Sequence, residues 1–156
     1  MALELRRARP EDADLLFRWV NDPVVRENSF QTRTIEYQNH LRWFTSRLQS
    51  PDCEIFILCD TEVSPPEIGQ VRFERNADGA FEIDYSVHSS QRGKGRGNEL
   101  VRLGLEQMFL KLRQRIKFIG RVKSANVASQ RVFLKNDFTL EQNDAFAQTY
   151  IRICDV

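Results

Sequence analysis

Cysteine is scarce in this chain. The three present, Cys53, Cys59 and Cys154, show no C-x-x-C spacing. An odd count without paired spacing argues against a disulfide framework and a zinc site. On one extended strand, Cys53 and Cys59 would stand roughly 20 Å apart, beyond disulfide reach. All three are therefore read as reduced and structural, and no metal site is expected. Long hydrophobic runs are also missing. No stretch approaches the roughly 20 apolar residues that span a bilayer. Residues 1–16 lack the apolar run of a signal peptide, so a cytoplasmic location without a membrane partner is expected. Charge excess is absent as well: 23 Lys and Arg face 22 Asp and Glu, a net charge of +1. Nucleic acid is therefore not an expected partner, and any anion site has to be local. Internal repeats, low-complexity tracts and a second-domain linker are lacking too. What remains is 156 residues, 41% hydrophobic and 29% charged, which suits a single domain over 1–156 with a real core.

The hydrophobic pattern sets an order of elements. Leu3 and Leu5 alternate with Glu4 and Arg6, predicting a short first strand. Pro10-Glu11-Asp12 opens a helix, because proline and acids suit a first turn. Leu15, Leu16, Trp19 and Val20 form its apolar stripe, and Asn21-Asp22-Pro23 stops it. From Val24 to Thr34 the chain is polar and is read as irregular. Tyr37, Leu41, Phe44 and Leu48 then recur at helical spacing. Strands follow over Glu54–Asp60 and Ile68–Glu74, and Asn76-Ala77-Asp78-Gly79 is a hairpin signal. Phe81, Ile83, Tyr85 and Val87 alternate with Glu82, Asp84, Ser86 and His88, a strand with one polar face. A glycine-rich loop leads into a helix from Gly97 to about Arg113. A strand (Ile116–Val122), a short helix (Val127 to about Asn136) and closing strand material in Phe146–Cys154 complete the chain. An antiparallel meander with a late βαβ crossover places the chain in the α/β (α+β) class, a mixed and mostly antiparallel sheet flanked by helices.

The loop carries the sharpest chemistry. Gly93, Gly95 and Gly97 alternate with Lys94 and Arg96 between a strand and a helix start. Glycine permits unusual backbone angles and close approach, so successive N–H groups can converge on an anion at the helix N-terminus. Arg92, Lys94 and Arg96 can add charge to the phosphates or shield them. The loop does not fit other phosphate motifs. No Lys-Ser or Lys-Thr follows, as a GxxxxGK[ST] loop needs, and GxGxG so late in the chain is not a dinucleotide fingerprint. A merely flexible basic turn seldom needs three alternating glycines at a helix start.

Gln91-Arg92-Gly93-Lys94-Gly95-Arg96-Gly97 resembles the Q/R-x-x-G-x-G/A motif of the GNAT N-acetyltransferase family. Tyr85-Ser86-Val87 resembles that family's fourth strand. Asn126, Ser129, Phe133, Lys135 and Phe138 resemble its N-x-x-[AS]-x-x-x-Y-x-K-x-G-F element. The likeness runs through the chain in element order. It implies a GNAT acyl-CoA acyltransferase fold with acetyl-CoA (coenzyme A) in a V-shaped opening between strands four and five. Backbone at Val87 and His88 would hold the acetyl and pantetheine end. Amides from Arg92 to Gly97 would hold the pyrophosphate, and Asn126 the pantetheine arm, near Ser129. Two positions depart from the pattern. Phe133 stands where the family often has a proton-donating tyrosine, and Asp137 where it has glycine.

Acetyl transfer to an amine requires loss of a proton from an ammonium of pKa near 10, and stabilisation of an oxyanion. Glu82, Asp84 and His88 share the polar strand face and are the candidate proton acceptors. Two carboxylates two residues apart can approach and raise one pKa, although a solvated strand face explains them equally well. Arg121 occupies the place of a glutamate that relatives often carry, so a site working by positioning and water alone is also consistent.

The stretch around Arg26, Asn28 and Phe30, with His40 and Trp43, is similar to the branch acting on nucleotide-linked amino sugars, including pseudaminic-acid pathway enzymes. That likeness implies a small-molecule amine, the 4-amino group of a sugar nucleotide, met by charge, hydrogen bonding and stacking. Trp19, Trp43 and Phe44 at helical spacing equally suit a core. A ribosomal-protein-type N-terminal acetyltransferase and a non-catalytic acyl-CoA-binding module are the alternatives. The chain is expected to be a monomer or homodimer.

Overall fold

The computed structural model describes residues 2–155. Strand β1 (Leu3–Arg7) leads through a 3-10 turn at Pro10–Asp12 into helices α1 (Ala13–Val20), α2 (Pro23–Asn28) and α3 (Tyr37–Gln49). Strands β2 (Cys53–Asp60), β3 (Glu67–Arg75) and β4 (Phe81–Val87) form a meander. A second 3-10 turn (Ser89–Gln91) precedes α4 (Arg96–Leu112), followed by β5 (Ile116–Lys123), α5 (Val127–Lys135), β6 (Thr139–Asn143) and β7 (Ala147–Cys154). The seven strands form one sheet in the order β1-β2-β3-β4-β5-β7-β6. Every pairing is antiparallel except β4 with β5.

Each face of the sheet has its own core. On one side Leu16 and Trp19 of α1 and Phe44 of α3 pack over Ile55 and Ile57. On the other, Leu100, Val101, Leu105 and Met108 of α4 and Phe133 of α5 pack over Phe73 and Phe118. Each fully buried side chain of this size contributes roughly 1.5–3 kcal/mol by leaving water. The nearly continuous apolar run of β2 is buried on both faces, as suits a strand in the interior of a sheet.

Two departures from the sequence expectation are informative. The stretch read as irregular from Val24 holds helix α2. Asp22 does end the preceding helix, but it also caps the next: its Oδ1 accepts from Val24 N (2.9 Å) and Val25 N (3.4 Å), with Pro23 in the first turn. An Asx-Pro pair is a start signal as much as a stop. Closing strands are expected in Phe146–Cys154, but that segment forms β7 alone, and its partner β6 lies earlier, at Thr139–Asn143. β6 was unrecognised because its residues are all exposed and no buried face imposes alternation.

The decisive feature lies between β4 and β5. They pair over only three positions, Phe81 with Phe118, Glu82 with Ile119 and Ile83 with Gly120. Beyond these, β4 continues on β3 as far as Val87, and β5 continues on β7 as far as Lys123. The strands therefore part in a V. Phe133 sits at its apex, stacked on Tyr150 and edge-on to Tyr85. Gly120 admits this ring, since a Cβ there would lie 2.5 Å from it.

Candidate active site

The V opens into a cleft of about 630 Å³ lined by β4, the glycine loop, the start of α4, the end of β5 and α5. One wall is polar backbone. The His88 N–H goes to the Ile68 carbonyl on β3. Alternation along an antiparallel strand therefore turns the N–H and C=O groups of Tyr85 and Val87 toward the opening. At the mouth, Gly93 and Gly95 both have φ +76°, and nothing lies within 4 Å of the position a Cβ would take. Gly95 is the N-cap of α4, so the amides that follow have no helical partner, and the helix dipole places positive potential there. Open backbone beside an amide-rich turn fits the arm and the diphosphate of coenzyme A.

The three loop cations have different tasks. Arg96 turns inward, pairing with Asp60 at 3.2 Å and Glu99 at 3.0 Å, and fastens the helix start to the end of β2. The residue lines the cleft, as expected, but its guanidinium is engaged by buried Asp60 and half-buried Glu99. Arg92 pairs with Asp22 at 3.1 Å, joining the loop to the cap of α2. Burial alone would raise the Asp22 carboxyl. Arg92 and the two capped N–H groups outweigh it and hold that carboxyl below its ordinary value. Lys94 is exposed and does not line the cleft.

A second cavity, of about 460 Å³, lies on the opposite face of β4 beneath α1, α2 and α3. It shares Val25, Ser29, Asp84 and Ser86 with the cleft, so the two spaces meet across β4. Its walls are largely apolar, with Leu16, Val20, Ile35, Ile55 and Trp43. Its charged groups are Arg26, Arg72 and Asp84. Arg72 lies over the Trp43 ring, 4.8 Å from the centroid, and 3.7 Å from Asp84. Gln70 donates to both Asp84 and Ser86 at 3.2 Å. Sequence reasoning passed over Gln70 and Arg72, because nothing in a strand pattern says which residues sit across from Asp84.

The remaining expected site residues divide. Asp84 stands at the junction. Glu82 does not approach it; it faces Arg121 at 3.6 Å and lines neither space. His88 lies just past β4, where its ring caps the 3-10 turn through Ser90 and meets Trp19 edge-on. It lines a separate polar hollow with Val87 and Arg92. Arg26 lines the second cavity but spends its guanidinium on the Val20, Gln31 and Arg33 carbonyls and on Ser29 Oγ, clasping the α2 turn. His40 and Trp43 both line that cavity. His40 is buried, stacked on Phe44 with its Nε2 3.1 Å from the Ala13 carbonyl, and burial lowers its pKa. Asn28 lines the cleft instead, and Phe30 is 58% exposed and lines neither. Asn126 Oδ1 caps α5 through Ser129 N. Phe133 lines the apex.

Two buried polar atoms have no protein partner among the described residues: Trp19 Nε1, in a residue lining the second cavity, and Gln91 Oε1, in a residue lining the cleft. Buried donors and acceptors are costly when unpaired and often mark where a ligand binds. No group of three or more His, Cys, Asp and Glu among the described residues is arranged to hold a metal, and no helix is long and apolar enough to cross a membrane.

Residues 2–139 match the model of the acetyltransferase (GNAT) domain. The chain belongs to that family. It is an acetyl-CoA-dependent N-acetyltransferase. No curated protein matches the sequence. Solved structures share the fold at low identity. A spermidine N-acetyltransferase from Vibrio cholerae, in complex with CoA and spermine, aligns with a TM-score of 0.84 at 16% identity, covering 97% of this chain and 95% of that one. A ribosomal L7/L12 α-N-protein acetyltransferase in complex with coenzyme A gives 0.80 at 18%, covering 99% and 96%. An aminoglycoside acetyltransferase in complex with coenzyme A and kanamycin gives 0.76 at 18%, covering 97% and 94%.

Proposed function

We propose that this GNAT domain acetylates a primary amine carried on an anionic small molecule, the 4-amino group of a nucleotide-linked amino sugar. The observation that supports this most directly is the charge pattern of the second cavity: one carboxylate, Asp84, at the junction, and a guanidinium, Arg72, stacked on Trp43 behind it. A polyamine or aminoglycoside carries several ammonium groups, and one carboxylate leaves most of them unpaired. A ring with one amine and a phosphate tail suits an apolar slot with an aromatic floor and an arginine. The orphaned Trp19 N–H offers a further hydrogen bond. The helices α1, α2 and α3 roof the cavity, which suits a small molecule better than a peptide.

In this reading the neutral amine attacks the thioester carbonyl from the cavity side of β4. Asp84, or a water on it, takes the amine proton. The N–H of Tyr85 or Val87 on the open edge of β4 receives the oxyanion. A screen of thiol release from acetyl-CoA tests it. Release with 4-amino-sugar nucleotides is expected, and little with spermidine or N-terminal peptides. Release with peptides alone would favour the ribosomal-protein-type alternative. Stabilisation by acetyl-CoA without turnover on any amine would favour a binding module.

A further inference from the structure

Three spaces meet at one strand residue. Ser86 of β4, with Val25 of α2 above it, lines the cleft, the cavity beneath α1, α2 and α3, and the polar hollow beside His88. Ser86 shares a face of β4 with Asp84 and stands directly across from Gln70 on β3. Gln70 is buried, and its single amide nitrogen makes two hydrogen bonds: Nε2 donates to Asp84 Oδ2 and to Ser86 Oγ, both at 3.2 Å. The carboxylate settles which way round this amide sits. An amide oxygen turned toward Asp84 would set acceptor against acceptor, so the NH2 group has to face it.

That orientation fixes the role of Ser86. An amide NH2 carries two protons, and here one goes to each partner. Ser86 Oγ receives one of them and cannot give its own proton back to that nitrogen. No other group among the described residues accepts the Ser86 hydroxyl proton. Asp84 is the complement. Gln70 occupies its Oδ2, Arg72 lies 3.7 Å from the same oxygen, and Oδ1 has no hydrogen-bond partner among the described residues. Asp84 Oδ2 and Ser86 Oγ stand roughly 5.5 Å apart, because the two N–H bonds of an amide diverge by about 120°. The strand therefore presents one unused carboxylate oxygen and one unused O–H donor side by side, where the spaces join. A ligand that satisfies both has to donate at the first and accept at the second, and a gap this short suits groups on neighbouring carbons.

We propose that Asp84 and Ser86 together read a vicinal amino alcohol, an amine with a hydroxyl on the next carbon. Asp84 Oδ1 accepts from the amine nitrogen, and Ser86 Oγ donates to the hydroxyl oxygen. Gln70 is a positioning residue: it sets which of the two strand residues accepts and which donates. An amine whose neighbouring carbon is also held keeps its lone pair aimed at the thioester carbonyl. A site built to bind a hydroxyl also disfavours the analogue without one, because the Ser86 donor is then left unpaired.

The inference rests on the reading of Asp84 as the amine's partner and deepens it, but needs no nucleotide to test. Thiol release at saturating acetyl-CoA is followed with trans-2-aminocyclohexanol, trans-4-aminocyclohexanol and cyclohexylamine. A neighbouring hydroxyl also makes an amine less basic, so the deciding quantity is how each kcat/KM ratio changes between wild type and variant. Ser86→Ala should lower the preference for the 2-hydroxy amine over cyclohexylamine about tenfold and leave the ratio for the 4-hydroxy amine unchanged. Gln70→Glu keeps the shape but turns an oxygen toward Ser86, which then spends its proton there; the same preference should fall by a similar factor. A purely structural role for either residue would slow all three amines alike. A 2-hydroxy preference within about twofold of wild type in Ser86→Ala, or no release by the wild type with the 2-hydroxy amine, would overturn the inference. A Ser86-dependent preference alongside inert 4-amino-sugar nucleotides would uphold it and overturn the nucleotide reading alone. Should Gln70→Glu not fold, Ser86→Ala decides by itself.

Discussion

The cleft between β4 and β5 and the cavity beneath α1, α2 and α3 meet at four residues, yet they are built from different materials. The cleft presents mainly main chain: the open edge of β4 beyond Ile83, two left-handed glycines and the first amides of α4. The acceptor cavity presents side chains from α1, α2, α3, β2, β3 and β4. Main-chain groups are the same whatever the residue, so a backbone site needs only the turn geometry and the strand split. A side-chain site needs particular residues brought together from distant parts of the chain.

The contrast can be broken at its strongest point. Gly95→Asp puts a side chain on a residue at φ +76° and a negative charge where the proposed cofactor site would hold the diphosphate. Backbone strain of roughly 1–2 kcal/mol together with like-charge repulsion is expected to weaken coenzyme A binding by about 100-fold, read by calorimetry. Unchanged affinity would remove the loop from the site. On the acceptor side, Asp84→Asn keeps the shape and removes the proton acceptor. A fall in kcat of about 100-fold, with coenzyme A affinity nearly unchanged, is expected from steady-state kinetics. A matching loss of donor affinity would show that the two spaces are not separate. The smallest expected effect sharpens the distinction. Lys94→Ala removes an exposed cation that does not line the cleft, and donor affinity should drop only about threefold and respond to salt. A loss beyond tenfold would mean that side-chain charge holds the phosphates.

The legible parts of the sequence are those with local causes. Alternation gave β4 its two faces, helical spacing gave α3, and Gly93 and Gly95 marked the loop because that turn takes left-handed angles at both, while Gly97 lies in the first turn of α4, close against Tyr85. The ion pairs of Arg96 have a nonlocal cause. Its partner Asp60 lies 36 residues earlier, and no spacing rule connects them. Glu82 and Asp84 look equivalent on one strand face, but Arg121 takes the first while Arg72 and Gln70 hold the second at the junction. α2 was hidden by a capping residue that ends one helix and starts the next.

By itself, the sequence determined most of the order of elements, the glycine turn at a helix start and the family, since each follows from periodicity, glycine placement or a contiguous motif. Tertiary structure decided where β4 and β5 part, which carboxylate stands at the junction of the two spaces, and that Tyr85 shares a hydrogen bond with a serine on another element. Those outcomes depend on cross-strand register and on packing between residues far apart in the chain, which local preference does not encode.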